Sequence, residues 1–146
     1  MKIGIACDHH GVEIKQNVTN YLVSKGYNVV DYGTNSSEMV DYPLYAFKVG
    51  EAVSKGEIDF GILFCNSGIG MSIACNKVKG VRCAKVSNVW DAEMTRRDND
   101  ANVISLSTRL ELDEMFKIID TFLKTEFLPL ERYQRRIDLI NNYKND

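Results

Sequence analysis

The stretch Asp59-Phe60-Gly61-Ile62-Leu63-Phe64-Cys65-Asn66-Ser67-Gly68-Ile69-Gly70 decides the fold of this chain. It begins as a short apolar run that ends in a cysteine, and a glycine-containing turn then leads into a helical pattern. An apolar run of this length is typical of a strand that is buried on both faces, as in a parallel sheet covered by helices. The stretch therefore predicts one β/α unit, with Cys65 at the carboxyl end of its strand.

The same alternation of strand and helix continues on both sides of this unit. Pro43 fits a first helical turn, and Gly26 and Gly56 are placed as helix stops. Short apolar strands separated by amphipathic helices predict a three-layer α/β/α, doubly wound, Rossmann-like parallel sheet of five strands with an extra C-terminal helix. The strands are predicted at residues 2–7, 27–32, 59–65, 81–86 and 103–107, and the helices at 11–25, 42–55, 69–76, 88–97, 112–127 and 131–143. The last helix lies outside the five units, so its Ile137, Leu139 and Ile140 are expected to pack on a second subunit.

Length and composition fit a single domain over residues 1–146. The net charge of −2 gives no reason to expect nucleic acid or a membrane surface as a partner. No apolar run is long enough to span a membrane and no leader pattern precedes the first strand, so we expect a cytoplasmic protein. The cysteines form no C-x-x-C pair and the histidines no cluster, so neither a metal site nor a disulfide scaffold is expected.

Polar and reactive side chains follow the predicted strands. Because the carboxyl ends of parallel strands meet at one edge of a doubly wound sheet, where ligands bind, these side chains should converge. The edge is expected to hold Asp8, His9 and His10 after the first strand, Asp41 and Tyr42 after the second, residues 65–70 after the third, Ser87 after the fourth and residues 107–109 after the fifth.

Cys65 is the candidate general base at this edge. The first amides of a helix offer free N–H donors and the positive end of the helix dipole, a setting that favours a thiolate. A cysteine that packs as a small apolar residue explains the position of Cys65 equally well. The Ser67 hydroxyl and the amides of residues 68–70 could stabilise an oxyanion, although a tight turn also explains the glycines. Packing is expected for Cys75 and Cys83, and Cys7 is expected to line the site.

Charged side chains elsewhere could bind a substrate. Asp8 and His9 could form an oriented carboxylate–imidazole pair, or Asp8 could cap a helix while His9 stays in solvent. Arg132 and Arg136 lie four residues apart and share a helix face, where two guanidiniums suit a phosphate, although such pairs are more often only solvated. Arg109 adds a cation after the fifth strand.

Taken together, these residues resemble the ribose-5-phosphate isomerase B family, within the wider group that includes the galactose-6-phosphate isomerase subunits. The resemblance covers nearly the whole chain, and its motifs are specific as a set. The matching segments are Cys7-Asp8-His9-x-Gly11, Gly33-Thr34, Asp41-Tyr42-Pro43, Gly61-Ile62-Leu63-x-Cys65-x-Ser67-Gly68-x-Gly70, Asn76-Lys77-x-x-Gly80-Val81-Arg82, Asn99-x-x-Asn102-Val103 and Arg132-x-x-x-Arg136.

The resemblance implies an aldose–ketose isomerase that works without a metal or cofactor, through a cis-enediolate. In that family the thiol matching Cys65 moves a proton between C1 and C2, and the groups matching Ser67 and the amides after it stabilise the enediolate. The site lies between two subunits, which implies a homodimer or a tetramer. The substrate contacts it implies, together with neighbours at the same sheet edge, are Asp8, His9, Asn66, Gly68, Ile69, Gly70, Asn99, Arg109, Arg132 and Arg136.

One position departs from the family pattern. Many type B ribose-5-phosphate isomerases carry histidine before the matching asparagine, where it is assigned to ring opening, and this chain has Asp98. A carboxylate can accept the anomeric proton but brings no positive charge. Asp98 can therefore still act in ring opening, but either another group such as His9 or His10 helps to open the ring or the substrate differs. Ribose 5-phosphate and ribulose 5-phosphate are the leading pair; allose 6-phosphate or galactose 6-phosphate is the alternative.

Three other classes of protein fit the sequence poorly. A small cysteine phosphatase needs arginine six positions after the cysteine, where this chain has Met71. A phospho-receiver module needs aspartate, not Cys65, at the end of the third strand. A dinucleotide-binding module needs G-x-G-x-x-G after the first strand, where only Gly11 is present.

Overall fold

Residues 1–144, which the computed structural model describes, hold five strands and six helices. The strands are β1 (Lys2–Cys7), β2 (Asn28–Asp31), β3 (Phe60–Cys65), β4 (Cys83–Lys85) and β5 (Val103–Ser107). The helices are α1 (Val12–Ser24), α2 (Pro43–Ser54), α3 (Ile69–Cys75), α4 (Val89–Asn99), α5 (Leu112–Lys124) and α6 (Glu131–Asn141). The strands pair in parallel in the order β2-β1-β3-β5-β4, which confirms the predicted α/β fold.

The sheet is covered on both faces, because its strands carry apolar side chains on both sides. On one face they pack against α1, α4 and α5, which contribute buried side chains such as Leu22 and Phe122. On the other face they pack against α2 and α3, which contribute Val49 and Met71. Burying each such side chain stabilises the fold by about 1.5–3 kcal/mol. The two layers together fix the strand ends from which the polar loops leave.

Several helix ends differ from the prediction, and the buried Arg96 explains those of α4 and α5. Helix α4 continues to Asn99, and Asp100 then turns with a φ of 46° while its carboxylate accepts a hydrogen bond from Arg96 Nη1 at 2.7 Å. Helix α5 ends at Lys124 rather than at residue 127, because Thr125 is extended and its carbonyl accepts Arg96 Nε at 3.3 Å. These contacts join residues far apart in sequence, so helical periodicity does not reveal them.

The strand order decides which loops meet at the carboxyl edge. β3 lies between β1 and β5, with Cys7 opposite Phe64 and Cys65 opposite Ser107. The loops after β1, β3 and β5 are therefore neighbours, as predicted. β4 is the outermost strand, so the loop with Ser87 lies two strands from β3, about 9–10 Å away. Ser87 thus follows β4 at the carboxyl edge, as expected, but lies two strands from Cys65, and its hydroxyl accepts a hydrogen bond from Lys85 at 2.7 Å.

Helix α6 packs beside α4 and leaves one side open. Ile137 is buried within its own chain, contrary to the expectation that it needs a second subunit. Leu139 is 69% exposed and Ile140 57% exposed, as expected for side chains without an intrachain cover. The Arg82 guanidinium donates to Asn141 Oδ1 at 2.9 Å and ties the end of α6 to the start of β4.

Among residues 1–144, no helix combines the length and the apolar character that crossing a membrane requires.

Candidate active site

The thiol of Cys65 lies in the turn between β3 and α3. Its Sγ accepts a hydrogen bond from the Gly68 N–H at 3.2 Å, and its carbonyl accepts the Thr108 N–H at 3.0 Å. The residue is only 5% exposed and packs at the rim of the second core layer. Since an N–H donor is aimed at the sulfur at the start of a helix, the turn provides the contact that a thiolate needs.

Gly68 is the residue that lets the turn close. Its φ is 76°, in the left-handed region that favours glycine. A Cβ at this position would lie 2.9 Å from the Leu106 carbonyl carbon and 3.0 Å from the Ser107 nitrogen. The Gly68 carbonyl in turn accepts the buried Ser105 hydroxyl at 2.6 Å. The donor to the Cys65 sulfur is therefore fixed against β5 by sterics and by a hydrogen bond.

The remaining residues of this turn face solvent. Asn66 and Ser67 are exposed, and the Ser67 Oγ accepts the Ile69 N–H at 3.1 Å. The Asn66 carbonyl accepts the Ser107 hydroxyl at 2.7 Å, which joins the β3 and β5 loops. The structure thus places the predicted hydroxyl and amides beside Cys65, with the Ser67 oxygen held by the helix start.

Tyr42 is expected at this edge, but the sequence analysis assigns it no role in the site. A Cβ on Gly70 would lie 2.6 Å from the Tyr42 Cζ and 2.8 Å from its hydroxyl oxygen. Gly70 therefore makes room for a phenol that reaches over the start of α3 from the β2–α2 loop. The sequence signal for Tyr42 was the segment Asp41-Tyr42-Pro43, which is one of the segments that match the family.

The loop after β1 forms a carboxylate–imidazole pair, but not the predicted one. Asp8 is buried, and its Oδ2 lies 3.1 Å from His10 Nδ1, while its Oδ1 accepts the His10 N–H at 2.9 Å. The His9 Nδ1 instead accepts the Val40 N–H at 3.3 Å. The Asp8 carboxylate accepts a hydrogen bond from the backbone N–H two residues later, as in an Asx-turn. This turn places the ring of His10, rather than that of His9, against the carboxylate.

The same loop also groups three side chains that could ligate a cation. One ligand atom each from Asp8, His9 and His10 lie within 4.8 Å of one another, and the two imidazole centroids are 4.2 Å apart. The sequence analysis expects no such cluster. A cation bound here would have to break the hydrogen bond between Asp8 and the His10 ring, so the existing contacts favour the pair.

The other cysteines are in packing positions. Cys7 is fully buried, its Sγ donates to the Thr34 carbonyl at 3.5 Å, and burial raises the pKa of its thiol to about 11. A hydrogen bond with the Cys75 thiol, together with burial, raises the pKa of Cys83 well above its ordinary value. The raised pKa values keep the Cys7 and Cys83 thiols protonated at neutral pH. The Cys75 side chain is fully buried, as its expected packing role requires.

A second group of candidate residues lies near the start of α6, away from Cys65. Asp98 pairs with Arg97, whose Nε lies 2.8 Å from Asp98 Oδ1, and this hydrogen bond is the main cause of the raised pKa of the Arg97 guanidinium. The Arg132 guanidinium lies over the Tyr133 ring at 4.9 Å, and Arg136 is exposed. The negative charge of Asp98 thus already has a positive partner.

Within a single chain, this second group of residues lies far from Cys65. Asp98 and Asn99 end α4, just before β5 begins at Val103, which pairs with Gly61 at the start of β3. Cys65 pairs with Ser107 at the other end of β5, about 13 Å farther along the strand. Of the candidate cations, only Arg109, exposed in the loop after Ser107, lies at the Cys65 edge of its own chain.

The chain is similar to known proteins over nearly all of its length. Residues 3–140 match the family described as Ribose/Galactose Isomerase. The chain is 42% identical over 142 residues to ribose-5-phosphate isomerase B of Escherichia coli (strain K12), covering 95% of this chain and 93% of that protein. Its fold is similar to that of ribose-5-phosphate isomerase B of Clostridium thermocellum, with a TM-score of 0.94, 46% identity and coverage of 97% and 95% of the two chains. It is also similar to ribose-5-phosphate isomerase B of Mycoplasma genitalium with bound ribulose-5-phosphate, with a TM-score of 0.93, 43% identity and coverage of 97% and 95%.

Proposed function

The chain belongs to the ribose/galactose isomerase family, and from that premise we propose that it interconverts ribose 5-phosphate and ribulose 5-phosphate. The observation that carries the proposal is the hydrogen bond from the Gly68 N–H to the Cys65 sulfur, at 3.2 Å, beside the exposed Ser67. The relatives named ribose-5-phosphate isomerase B support the choice of a pentose phosphate, as does the one bound to ribulose-5-phosphate. We propose one such domain over residues 1–146.

The chemical step is a proton transfer between adjacent carbons. The Cys65 thiolate takes the proton from C2 of the open-chain aldose, and the electron pair left behind forms the C1–C2 double bond of a cis-enediolate. The Ser67 hydroxyl and the nearby amides stabilise the charge on the oxygens. Cys65 then returns its proton to C1, while the hydroxyl proton moves from O2 to O1 and a ketone forms at C2. No oxidant or reductant is needed.

The phosphate is proposed to be bound by a second copy of the chain. Arg132, Arg136 and Asn99 do not lie at the Cys65 edge of their own chain, yet two guanidiniums on one helix face suit a phosphate. Ile69 and Ile73, on one face of α3 beside the Cys65 turn, are 53% and 62% exposed and offer an apolar surface for the second copy. We therefore propose a homodimer, or a tetramer built from two, in which each site uses both subunits.

Replacing the proposed base tests this function directly. Cys65→Ala should lower kcat by roughly 10²–10⁴-fold, because it removes the proton acceptor. Cys83→Ala is the matched control, since its thiol packs against Cys75, and it should retain wild-type kcat. Circular dichroism would establish that both variants fold. Near wild-type turnover by folded Cys65→Ala would refute the proposed base.

A hexose phosphate is the second candidate substrate, and Asp98 is the observation that favours it. A panel of ribose 5-phosphate, allose 6-phosphate and galactose 6-phosphate should give the highest kcat/KM for ribose 5-phosphate. Preference for a hexose phosphate by about tenfold or more would overturn the assignment, because that ratio is a difference of about 1.4 kcal/mol in transition-state binding.

A further inference from the structure

We propose that His10, oriented by Asp8, is the acid/base that opens the furanose ring of the substrate before the proton transfer at Cys65. This inference rests on the proposed function and deepens it, because the step is one that only a cyclic aldose phosphate requires. It replaces Asp98 as the ring-opening group of this chain.

The hydrogen bonds of the two histidines select His10 over His9. An ionised carboxylate only accepts hydrogen bonds, so the contact of 3.1 Å between Asp8 Oδ2 and His10 Nδ1 places the proton of a neutral His10 on Nδ1. Its Nε2 then carries a free lone pair. The His9 Nδ1 accepts the Val40 N–H at 3.3 Å, so neutral His9 carries its proton on Nε2. His9 can therefore donate a hydrogen bond from Nε2, whereas His10 can take a proton there.

The burial of the pair fits a base with a fixed orientation. The Asp8 side chain is 8% exposed and accepts from both the backbone and the ring of His10, whose own side chain is 48% exposed. A buried carboxylate behind an accessible imidazole holds the ring in one tautomer and stabilises the imidazolium that forms after protonation.

The pair also lies next to the Cys65 turn. The Asp8 N–H donates to the carbonyl of Phe64, the residue before Cys65, at 3.1 Å, because β1 and β3 are adjacent. His10 faces an open cavity of about 740 Å³ whose lining includes His9, Asn35 and Ser37. That volume lies within the range of about 300–1,000 Å³ found for small-molecule sites. In the proposed complex, the sugar spans from this cavity to the adjacent Cys65 turn.

The proposed step balances without a co-reactant. His10 Nε2 takes the proton of the anomeric hydroxyl O1, the O1–C1 bond becomes a carbonyl and the C1–O4 bond breaks. The imidazolium then gives that proton to O4, so His10 ends neutral and the open-chain aldehyde is ready for Cys65. Asp8 is a positioning residue in this step, because it acts through the His10 ring.

The test separates ring opening from proton transfer by using both pentose phosphates. Ribulose 5-phosphate stays open because its O5 carries the phosphate, so enzyme-catalysed exchange of its C1 hydrogen with D₂O needs Cys65 but not ring opening. The variant is His10→Asn, whose amide can keep the hydrogen bond to Asp8 while Nε2 is lost. We expect its kcat on ribose 5-phosphate to fall at least about tenfold, while the exchange rate measured by proton NMR stays within about twofold.

Two further variants complete the experiment. Asp8→Asn should show the same split between the two rates, since it removes the group that fixes the tautomer, and added imidazole should restore ribose 5-phosphate turnover to His10→Gly. Asn20→Ala, at an exposed position of α1 outside that cavity, is the control and should leave both rates unchanged. If His10→Asn does not fold, His10→Gly with imidazole gives the same readout.

The outcomes distinguish this inference from the proposed function. An equal fall of both rates in His10→Asn would make His10 a substrate contact and overturn the inference, and so would two unchanged rates. If wild-type protein neither converts ribose 5-phosphate nor exchanges the C1 hydrogen of ribulose 5-phosphate, the proposed function fails, and this inference fails with it.

Discussion

At the residue scale, Cys7 and Cys65 lie at the ends of neighbouring strands, and their hydrogen bonds distinguish the candidate catalytic thiol from the packing thiol. Cys7 and Cys65 both end apolar strands and both are buried. The Cys65 sulfur accepts a hydrogen bond from the Gly68 N–H in the turn that follows it, whereas the Cys7 thiol donates one to the Thr34 carbonyl. The glycine turn after Cys65 made the first contact foreseeable from sequence. The second depends on the β2 loop and could not be foreseen, because strand pairing brings it close.

The Cys7 thiol should make the stability of the protein depend on pH in the alkaline range. Its pKa is raised from 9.0 in the unfolded chain to about 11 in the fold, so its stabilising contribution is complete below pH 9. That contribution, at most about 2–3 kcal/mol, is lost as the pH rises towards 11. Urea unfolding at pH 8, 9, 10 and 11 would show wild type losing this amount relative to Cys7→Ala.

The comparison with Cys7→Ala isolates one group. Other residues titrate in the same range, such as Tyr21, whose pKa is raised to about 12 mainly by its hydrogen bond to Asp120, but their contributions cancel in the difference. A difference between wild type and Cys7→Ala that stays constant with pH would contradict the buried-thiol explanation.

Gly68 gives a second residue-scale prediction, with Gly26 as its matched control. Both have positive φ, 76° and 89°, so an alanine at either position loses about 1–2 kcal/mol to backbone strain. A Cβ at Gly26 meets nothing within 4 Å, whereas one at Gly68 meets the β5 backbone at 2.9 Å. Gly68→Ala should therefore lower Tm more than Gly26→Ala and should also reduce kcat, since its amide moves away from Cys65. Thermal melts and kinetics check this; equal losses in both variants would remove the steric argument.

At the element scale, a buried lysine joins α1 to the loop after β2. The Lys15 ammonium donates to Asp31 Oδ1 and Asn35 Oδ1, both at 2.8 Å, and to the Thr34 carbonyl. The apolar positions of residues 11–25 predict the helix, but a lysine such as Lys15 is expected to face solvent there. Its burial follows from acceptors sixteen to twenty residues away, so periodicity could not predict it.

Removing this ammonium should destabilise the protein. Lys15→Met fills a similar volume but leaves three acceptors without their donor, which should cost about 2–4 kcal/mol of unfolding free energy. Asp31 is partly exposed and can be rehydrated, which keeps the loss below that of a fully buried pair. Lys25→Met, at the exposed end of the same helix, is the control and should change stability by less than about 0.5 kcal/mol. Urea unfolding measures both; equal effects would show that the buried contacts contribute little.

At the scale of the whole molecule, the proposed catalytic and phosphate-binding groups lie in two separate places. Cys65, Ser67 and the Asp8–His10 pair share the carboxyl edge of the sheet, whereas Arg132 and Arg136 lie on α6. The sequence alone predicted the first grouping from strand ends, because parallel topology brings such ends together. The spacing of Arg132 and Arg136 suggested the second grouping, but only the family resemblance suggested that it serves a site between two subunits. The reason is physical: the position of α6 relative to another chain depends on an interface that leaves no periodic pattern.

Mixing two inactive variants should therefore restore activity if each site takes Cys65 from one chain and the arginines from its partner. Cys65→Ala lacks the base in both sites of its dimer, and Arg132→Ala/Arg136→Ala lacks the phosphate ligands, which should lower kcat/KM at least about tenfold. Random reassortment by co-refolding makes about one half of the dimers hybrid, and each hybrid has one intact site, so about one quarter of wild-type activity should return. Mixing Cys65→Ala with Cys65→Ala/Arg136→Ala restores no site and serves as the control. In each hybrid, one proposed site combines the intact Cys65 of one chain with the intact arginines of the other. If native mass spectrometry shows hybrids and activity on ribose 5-phosphate still stays at the level of the parents, that combined site is inactive. The arginines then do not serve the Cys65 of the partner chain.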